Sequence, residues 1–214
     1  MRKVFWDDPY QRALTTRVAE VYNDQIVCEE TIIYSFSGAQ ESDKAEINGL
    51  PVLSSRMEGN LIYYTLSADH GLRPGDAVTM TIDWPRRKRL MRLHFSAELV
   101  LELITRKLGL KKVGAHIAEH KARIDFESAE SLAQILPEIA AQFHDIVTRN
   151  VSIHKDFSDV EQQRRFWKID GFAEVPCGGT HVRSTGEVGQ VTLKRDRPGK
   201  GIERVEIRLR EGDE

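Results

Sequence analysis

The sequence VPCGGTHV at positions 175–182 places a thiol, Cys177, four residues before an imidazole, His181. The two glycines between them let the backbone turn sharply, so both side chains can reach one point. A second pair lies upstream, where His94 and Glu98 are four residues apart on a predicted helix and therefore share one face. One thiolate, two imidazoles and one carboxylate are donor types of a tetrahedral zinc site. We therefore predict that these four side chains bind one Zn²⁺ ion.

The helix that carries His94 divides the sequence into two differently patterned parts. Apolar residues recur at helical spacing across positions 90–108, and Pro85 just upstream suits the first turn of a helix. The part before it is mainly β, with alternating or β-branched runs at positions 12–21, 25–34, 61–66 and 77–83. Short strands at this spacing are typical of a small β-barrel or a β-sandwich, of which we predict the barrel. We therefore predict a β-barrel domain at residues 1–84 and a zinc-binding domain at residues 85–214.

The second part mixes helices and strands without a βαβ repeat. Beyond the His94 helix we predict, in order, a strand at 115–126, a helix from Ser128 to about Asn150 interrupted at Pro137, a strand at 151–157, a short helix at 158–167, and strands at 190–194 and 203–209. This order predicts an α+β fold in which helices pack on an antiparallel sheet.

The composition is that of a folded protein, with 214 residues of which 40% are apolar and 30% charged. The sequence has no run of about 18 apolar residues, and its first residues lack the apolar core of a signal peptide. We therefore predict a cytoplasmic protein without a membrane partner. The two cysteines, Cys28 and Cys177, do not make a disulfide framework, and a reduced Cys177 is what a metal site requires.

Basic residues cluster on both sides of the metal-binding pattern, although 31 basic and 33 acidic residues give a net charge of −2. The first set precedes His94 and consists of Arg86, Arg87, Lys88 and Arg89. The second set follows His181 and consists of Lys194, Arg195, Arg197, Lys200 and Arg204. Two interpretations are open: the sets hold a phosphate backbone near the ion, or they form a solvated helix start and a charged hairpin.

Several motifs give the sequence a wider resemblance. PCGGTHV at 176–182 is followed by STGEVG at 184–189, while IDW stands at 82–84, LMRLH at 90–94 and SGAQ at 37–40. With these motifs the sequence resembles, over nearly its whole length, the AlaX family, free-standing relatives of the editing domain of alanyl-tRNA synthetase. The resemblance implies a zinc-dependent deacylase that hydrolyses the ester joining serine, and possibly glycine, to the alanine tRNA.

The same resemblance implies roles for residues outside the metal-binding pattern. Ser37, Gly38, Gln40 and Thr180 are expected to bind the substrate, and the basic run 86–89 is expected to contact the tRNA. For Gln40, a hydrogen bond to the polar end of the substrate competes with the simpler interpretation of an exposed turn residue.

Two positions depart from the family pattern. Glu98 stands where the family carries a second histidine, and the SGAQ loop has lost two of three glycines. Three roles for Glu98 remain open: a zinc ligand, a general base acting on water, or the mark of a site that no longer binds metal well. Two further functions remain open as well: a non-catalytic tRNA-binding relative, and a zinc hydrolase acting on another small ester.

Overall fold

The computed structural model describes residues 1–210 of the chain. Two compact units divide the chain, Met1–Lys88 and Arg89–Glu214, and residues 89–210 of the second are described. The boundary between the units falls inside the helix that carries His94. The predicted division into a barrel domain ending at residue 84 and an editing domain beginning at residue 85 stays a prediction.

The first unit is built from short strands and the helix Val4–Asp7 (α1). The strands are Arg2–Lys3 (β1), Ala13–Tyr22 (β2), Gln25–Cys28 (β3), Glu30–Thr31 (β4), Ala45–Ile47 (β5), Leu50–Pro51 (β6), Ser54–Glu58 (β7), Leu61–Thr65 (β8) and Ala77–Ile82 (β9). β1 pairs with β4 in parallel, and the others form a curled antiparallel sheet of order β6-β5-β9-β2-β3-β8-β7. The predicted β-rich character is confirmed, whereas closure into a small barrel stays a prediction.

One face of this curled sheet forms the core of the first unit. Its buried side chains alternate along the strands and include Val18, Ile26, Ile62, Tyr64, Val78 and Met80. Tyr64 brings a hydroxyl into this apolar core, where the hydroxyl lies 2.7 Å from Thr31 Oγ1 and donates to Ile33 O at 3.1 Å. Because a buried polar group without a partner costs free energy, these bonds are what allow a tyrosine at this position.

A buried ion pair between Arg87 and Asp43 ties the start of the long helix to the first unit. Arg87 is 0% exposed, and its Nε donates to Asp43 Oδ1 at 2.9 Å. A second guanidinium nitrogen bonds the other carboxylate oxygen, and the remaining donors reach Pro9 O at 2.9 Å and Ile32 O at 2.7 Å. All three guanidinium nitrogens of Arg87 therefore donate hydrogen bonds within the fold. The prediction that Arg87 contacts a tRNA phosphate is wrong, because its charge is already used inside the protein.

The second unit combines helices with two antiparallel sheets. Its helices are Trp84–Leu108 (α2), which begins in the first unit, and Leu136–Arg149 (α3), with short 3₁₀ turns at Leu132–Gln134 and Thr185–Val188. Its strands are Lys111–Ile117 (β10), Ala122–Glu127 (β11), His154–Asp159 (β12), Arg164–Ile169 (β13), Ala173–Pro176 (β14), Val191–Gly199 (β15) and Ile202–Leu209 (β16). One sheet has the order β10-β11-β16-β15 and the other β12-β13-β14. The predicted mixture of helices and antiparallel sheet is confirmed.

The sequence explains how both long helices begin and what they bury. Asp83 caps α2, because its Oδ1 accepts from the backbone N–H of Arg86 at 3.0 Å. Every residue in the stretch 90–97 of α2 is buried, so this part of the helix lies in the interior. α3 is amphipathic: Leu136, Ile139, Phe143 and Val147 are its buried residues, and the helix packs against β15.

Two predicted elements differ from the structure. The strand expected at 115–126 is a hairpin, since Ala118 N donates to Lys121 O at 3.0 Å and turns the chain between β10 and β11. The helix expected at 158–167 is wrong in type, because its second half is strand β13. Arg165, Trp167 and Ile169 are buried there at every second position, which is the period of a strand.

Among the helices within residues 1–210, none combines the length and the apolar composition needed to cross a bilayer. The cytoplasmic location stays a prediction.

We expect the substitution Arg87→Ala to lower the free energy of unfolding by about 3–5 kcal/mol, because it leaves the Asp43 carboxylate buried without its cation. The midpoint of urea unfolding measures the change. A control is Arg56→Ala in the same unit: Arg56 and Glu58 are paired with side chains 51% and 65% exposed, so the expected loss is about 1 kcal/mol or less. Equal midpoints for the two variants would contradict a stabilising role for the buried pair.

Candidate metal centre

Three of the four predicted ligands meet in the second unit. His94 lies on α2, Cys177 directly follows β14, and His181 lies four residues further on. One ligand atom from each lies within 4.8 Å of the other two. Both histidines are only 2% exposed. We call His94, Cys177 and His181 the donor cluster, and it is a group that can bind a metal ion.

Glu98 lies beside the donor cluster. Its Oε1 is 3.3 Å from His94 Nε2 and 3.6 Å from Cys177 Sγ, and those two atoms are 3.4 Å apart. Donor atoms about 2.0–2.3 Å from a tetrahedral zinc ion lie roughly 3.3–3.8 Å from one another. The three separations therefore match the edges of one face of a tetrahedron. The group whose donor atoms all lie within 4.8 Å of one another comprises only His94, Cys177 and His181, so a ligand role for Glu98 stays a prediction.

His181 supplies a second indication that the cluster fits a cation. Its Nε2 is buried, and within residues 1–210 no hydrogen-bond partner reaches that atom. A buried ring nitrogen without a partner is costly, because it has lost water and gained nothing in exchange. Coordination of a soft or borderline cation is one way to satisfy it, and imidazole and thiolate are the donors that such cations prefer.

The charges inside the cluster are strongly coupled. Burial opposes a charge on His94, but the neighbouring Cys177 sulfur and the Glu98 carboxylate outweigh burial and raise the pKa of His94 to about 10. Burial lowers the pKa of His181 well below its usual value, and the positive charges of His94, Lys155 and Arg165 lower it further. Burial likewise opposes the charge on Glu98, but hydrogen bonds and the charge of His94 keep its pKa below the ordinary value. A protonated His94 therefore attracts the Cys177 sulfur and the Glu98 carboxylate, which a bound metal ion would also attract.

The loop after β14 is fixed by its neighbours in the sheet. The backbone N–H of Cys177 donates to Arg165 O at 2.9 Å, which continues the pairing of β13 with β14. The Lys155 ammonium on β12 donates to the carbonyl oxygens of His181 at 3.4 Å and Val182 at 3.3 Å. Gly178 does not have the positive φ of a sharp glycine turn, and a Cβ there would meet no atom within 4 Å. The predicted need for a conformation special to glycine is therefore wrong at position 178.

The segment STGEVG behind this loop has a structural role. Ser184 and Glu187 form a capping box at the start of the 3₁₀ turn. Gly186 donates to Asn150 Oδ1 at 3.1 Å, and a Cβ on Gly186 would lie only 2.3 Å from that oxygen. Thr185 Oγ1 donates to Ile146 O at 2.8 Å, which ties the turn to α3. These contacts anchor the chain a few residues after His181.

The predicted substrate-binding residues occupy two places. Ser37, Gly38 and Gln40 lie in a tight loop of the first unit, closed by a bond from Gln40 N to Ser37 O at 2.9 Å. Gln40 is 0% exposed, so the interpretation as an exposed turn residue is wrong. Ala39 adopts φ 72°, a left-handed conformation that glycine accepts at less cost. Thr180 belongs to the second unit and is 1% exposed. Binding of substrate by these residues stays a prediction.

The two basic sets are only partly available to a ligand. In the first set, Arg86 bonds Glu41 at 2.8 Å, and Arg89 lies 3.9 Å from Glu119. In the second set, Arg195 binds Glu203 at 2.6 Å and Arg204 binds Asp125 at 2.6 Å. Lys88 is half-buried, whereas Lys194 and Lys200 are exposed, and within residues 1–210 no acidic side chain pairs with these three lysines. The cations best placed to meet a phosphate backbone are therefore on the β15–β16 hairpin.

Sequence reasoning missed the aromatic side chains around the cluster. Trp167 on β13 donates its indole N–H to Glu98 Oε2 at 3.3 Å. Phe95 packs edge-on against Trp167, with ring centroids 5.1 Å apart, and against His181 at 5.8 Å. Trp167 falls within the predicted helix 158–167, so the sequence did not indicate which face of a strand its side chain occupies. Phe95 directly follows His94, and nothing in its spacing distinguished it from an ordinary core residue.

Comparison with known proteins gives concordant findings. Residues 165–206 match the family described as the threonyl and alanyl tRNA synthetase second additional domain. The chain is 32% identical over 214 residues to the alanyl-tRNA editing protein AlaX-M of Pyrococcus horikoshii, a match that covers 97% of each chain. It is also 27% identical to the alanine–tRNA ligases of Methanococcus maripaludis and of Staphylothermus marinus. The matches cover 95% and 96% of this chain but only 25% of each ligase, so the chain spans about a quarter of their length.

We expect cobalt(II) to bind the donor cluster as a spectroscopic substitute for a native cation. Four-coordinate Co²⁺ with a thiolate donor gives intense visible bands and a near-ultraviolet charge-transfer band. Cys177→Ser should remove the charge-transfer band, while His154→Ala should leave the spectrum unchanged, since the His154 side chain is 61% exposed and pairs with Asp170. A weak spectrum typical of six-coordinate cobalt, identical in the unaltered protein and in Cys177→Ser, would contradict metal binding by the cluster.

Proposed function

The chain belongs to the AlaX family of alanyl-tRNA editing proteins, and from that premise we propose that it is a zinc-dependent trans-editing hydrolase. Its proposed substrate is the alanine tRNA mischarged with serine. Glycine is the second amino acid proposed in the ester. Water adds to the ester carbonyl, the bond to the terminal ribose oxygen breaks, and free amino acid and free tRNA leave.

The proposal rests mainly on the donor cluster. The cluster of His94, Cys177 and His181, in which both histidines are buried, lies in a chain that matches an alanyl-tRNA editing protein over 97% of its length. Two buried imidazoles beside a partly buried thiol are costly to maintain without a cation, and a carboxylate lies 3.3 Å from one of the imidazoles. Lys155 and Arg165 add positive charge near His181, which suits a site that receives the anionic end of an RNA.

The choice of serine and glycine rests on how small amino acids are discriminated. A binding pocket sized for alanine cannot reject the smaller glycine strongly, and it rejects an added hydroxyl only modestly. A second, hydrolytic site corrects such errors after the ester has formed. The resemblance assigns recognition of the amino acid to Ser37, Gly38, Gln40 and Thr180, and we retain these residues as the proposed substrate-binding set.

Four side chains are proposed to hold the zinc ion: His94, Glu98, Cys177 and His181. When bound, zinc polarises an ester carbonyl and makes water more acidic. Glu98 is proposed as a ligand through Oε1, because that oxygen completes the triangle with His94 and Cys177, while Oε2 is held by Trp167. The competing role for Glu98 is that of a general base, which would take a proton from the attacking water through the same oxygen.

We expect the protein to hydrolyse Ser-tRNA(Ala) and to spare Ala-tRNA(Ala). The reason is that a useful editing site must leave the correctly charged tRNA intact. Release of radiolabelled amino acid from the two purified esters measures both rates. Comparable hydrolysis of both would contradict editing, and hydrolysis of neither would favour a tRNA-binding protein. Hydrolysis of simple serine esters without tRNA selectivity would favour a hydrolase of another class.

Matched variants assign this activity to the site. Cys177→Ser should abolish hydrolysis, and His154→Ala should retain it. Glu98→Gln separates the two roles of the carboxylate: a ligand role predicts weaker zinc binding together with lower activity. Full zinc occupancy with a loss of turnover of about a hundredfold or more would assign Glu98 the role of base.

The tRNA is proposed to lie across the basic residues of the two sets that are neither buried nor held by a short ion pair. Arg87 is excluded by its burial, and Arg86 is engaged by Glu41. Lys88 remains from the first basic set together with Arg89, which lies 3.9 Å from Glu119, and Lys194 and Lys200 remain from the hairpin. Phosphate contacts made by such residues raise affinity without regard to sequence and release counterions on binding.

We expect the double substitution Lys194→Glu and Lys200→Glu to weaken tRNA binding and to flatten its salt dependence. Each lost phosphate contact lowers the slope of log affinity against log salt by about one. The same measurement on Lys88→Glu with Arg89→Glu compares the two basic sets. Arg149→Glu is the control, because its side chain is 68% exposed on α3 and pairs with Asp145. An unaltered slope in the hairpin variant would remove the hairpin from the interface.

A further inference from the structure

We propose that Trp167 is a positioning residue for the metal site: its indole N–H holds one oxygen of Glu98 so that the other faces the donor cluster. This inference rests on the zinc-binding part of the proposed function and on no property of the tRNA.

The two oxygens of Glu98 have different partners. Oε2 accepts from Trp167 Nε1 at 3.3 Å, whereas Oε1 lies 3.3 Å from His94 Nε2 and 3.6 Å from Cys177 Sγ. The terminal torsion of a glutamate is soft and nearly two-fold, so a carboxylate left to itself samples many orientations. A single fixed donor on Oε2 removes that freedom. The arrangement leaves Oε1 as the one oxygen available to a cation.

Trp167 is itself held firmly enough to act in this way. Its side chain is 0% exposed, and its strand β13 is paired on both sides, with Lys155 on β12 and Val175 on β14 as its direct neighbours. The ring meets Phe95 edge-on at 71°, and Phe95 in turn meets the His181 ring at 76°. One buried indole therefore contacts Glu98 directly and supports His181 through Phe95.

The two effects of Trp167 have different chemical requirements. Support of His181 through Phe95 needs only an aromatic ring at position 167. Orientation of Glu98 needs the N–H, because no other atom of the indole donates a hydrogen bond. Partners that orient metal ligands typically contribute tenfold to a hundredfold in metal affinity. A substitution that keeps an aromatic ring and removes the N–H therefore tests the second effect.

We expect Trp167→Phe to lower zinc affinity about tenfold to a hundredfold, measured by competition with a chromophoric chelator on the free protein. In a Glu98→Ala background the same substitution should have no further effect, since the group it acts through is gone. Trp84→Phe is the matched control for loss of an indole elsewhere in the chain. Far-ultraviolet circular dichroism checks that each variant remains folded.

An equal loss of affinity with and without Glu98 would overturn the inference, because it would mean that the ring acts by packing alone. Unchanged affinity in Trp167→Phe would overturn it as well. If the phenylalanine variant does not fold, 3-benzothienylalanine at position 167 keeps the shape of the indole and replaces its N–H with sulfur. It should show the same loss, again only when Glu98 is present. Since every measurement is made on zinc binding without tRNA, failure of the deacylase assay would leave this result standing.

Discussion

The meeting of His94 Nε2 and Cys177 Sγ at 3.4 Å is the constraint on which the second unit depends. This short distance requires the buried helix α2 and the end of the short strand β14 to approach each other. Four polar side chains lie between them. Removing imidazoles, a thiol and a carboxylate from water is unfavourable unless they satisfy one another or a cation. The surrounding structure serves that end: α2 is buried on all sides along 90–97, and Lys155 fixes the carbonyl groups of the loop.

The carboxylate at position 98 changes the charge of the site as well as its shape. A thiolate and a carboxylate together carry two negative charges, which balance a dication, whereas a histidine in place of Glu98 would leave one positive charge on the ion. A neutralised ion is a weaker Lewis acid, so the surrounding cations gain importance. Lys155 and Arg165 lie close enough to lower the pKa of His181, and Lys112 contributes to lowering that of Glu98. In the proposed zinc site these cations would offset part of the negative charge that the carboxylate adds.

Much of this arrangement could be predicted from the sequence because its signals are local. The extent of α2 followed from Pro85 and from helical spacing, and the donor pairs followed from two four-residue intervals. The errors concern residues whose environment is set by distant partners. Arg87 belongs to a run of four basic residues, and its buried partner Asp43, 44 positions away, distinguishes it from its less buried neighbours. Trp167 reaches Glu98 across 69 positions, a contact that no periodicity reveals.

The 83 positions that separate His94 from Cys177 also bear on how the protein is made. Translation delivers α2 long before β13, β14 and the cysteine loop, so a nascent chain carries His94 and Glu98 without Cys177 and His181 while the intervening residues are made. Contacts between residues so far apart form late and slowly, because the intervening chain must first be ordered. A chain that stops short of Cys177 therefore possesses the helix but not the site. Synthesis as far as His181, and not the folding of any single segment, is what allows the donor cluster to assemble.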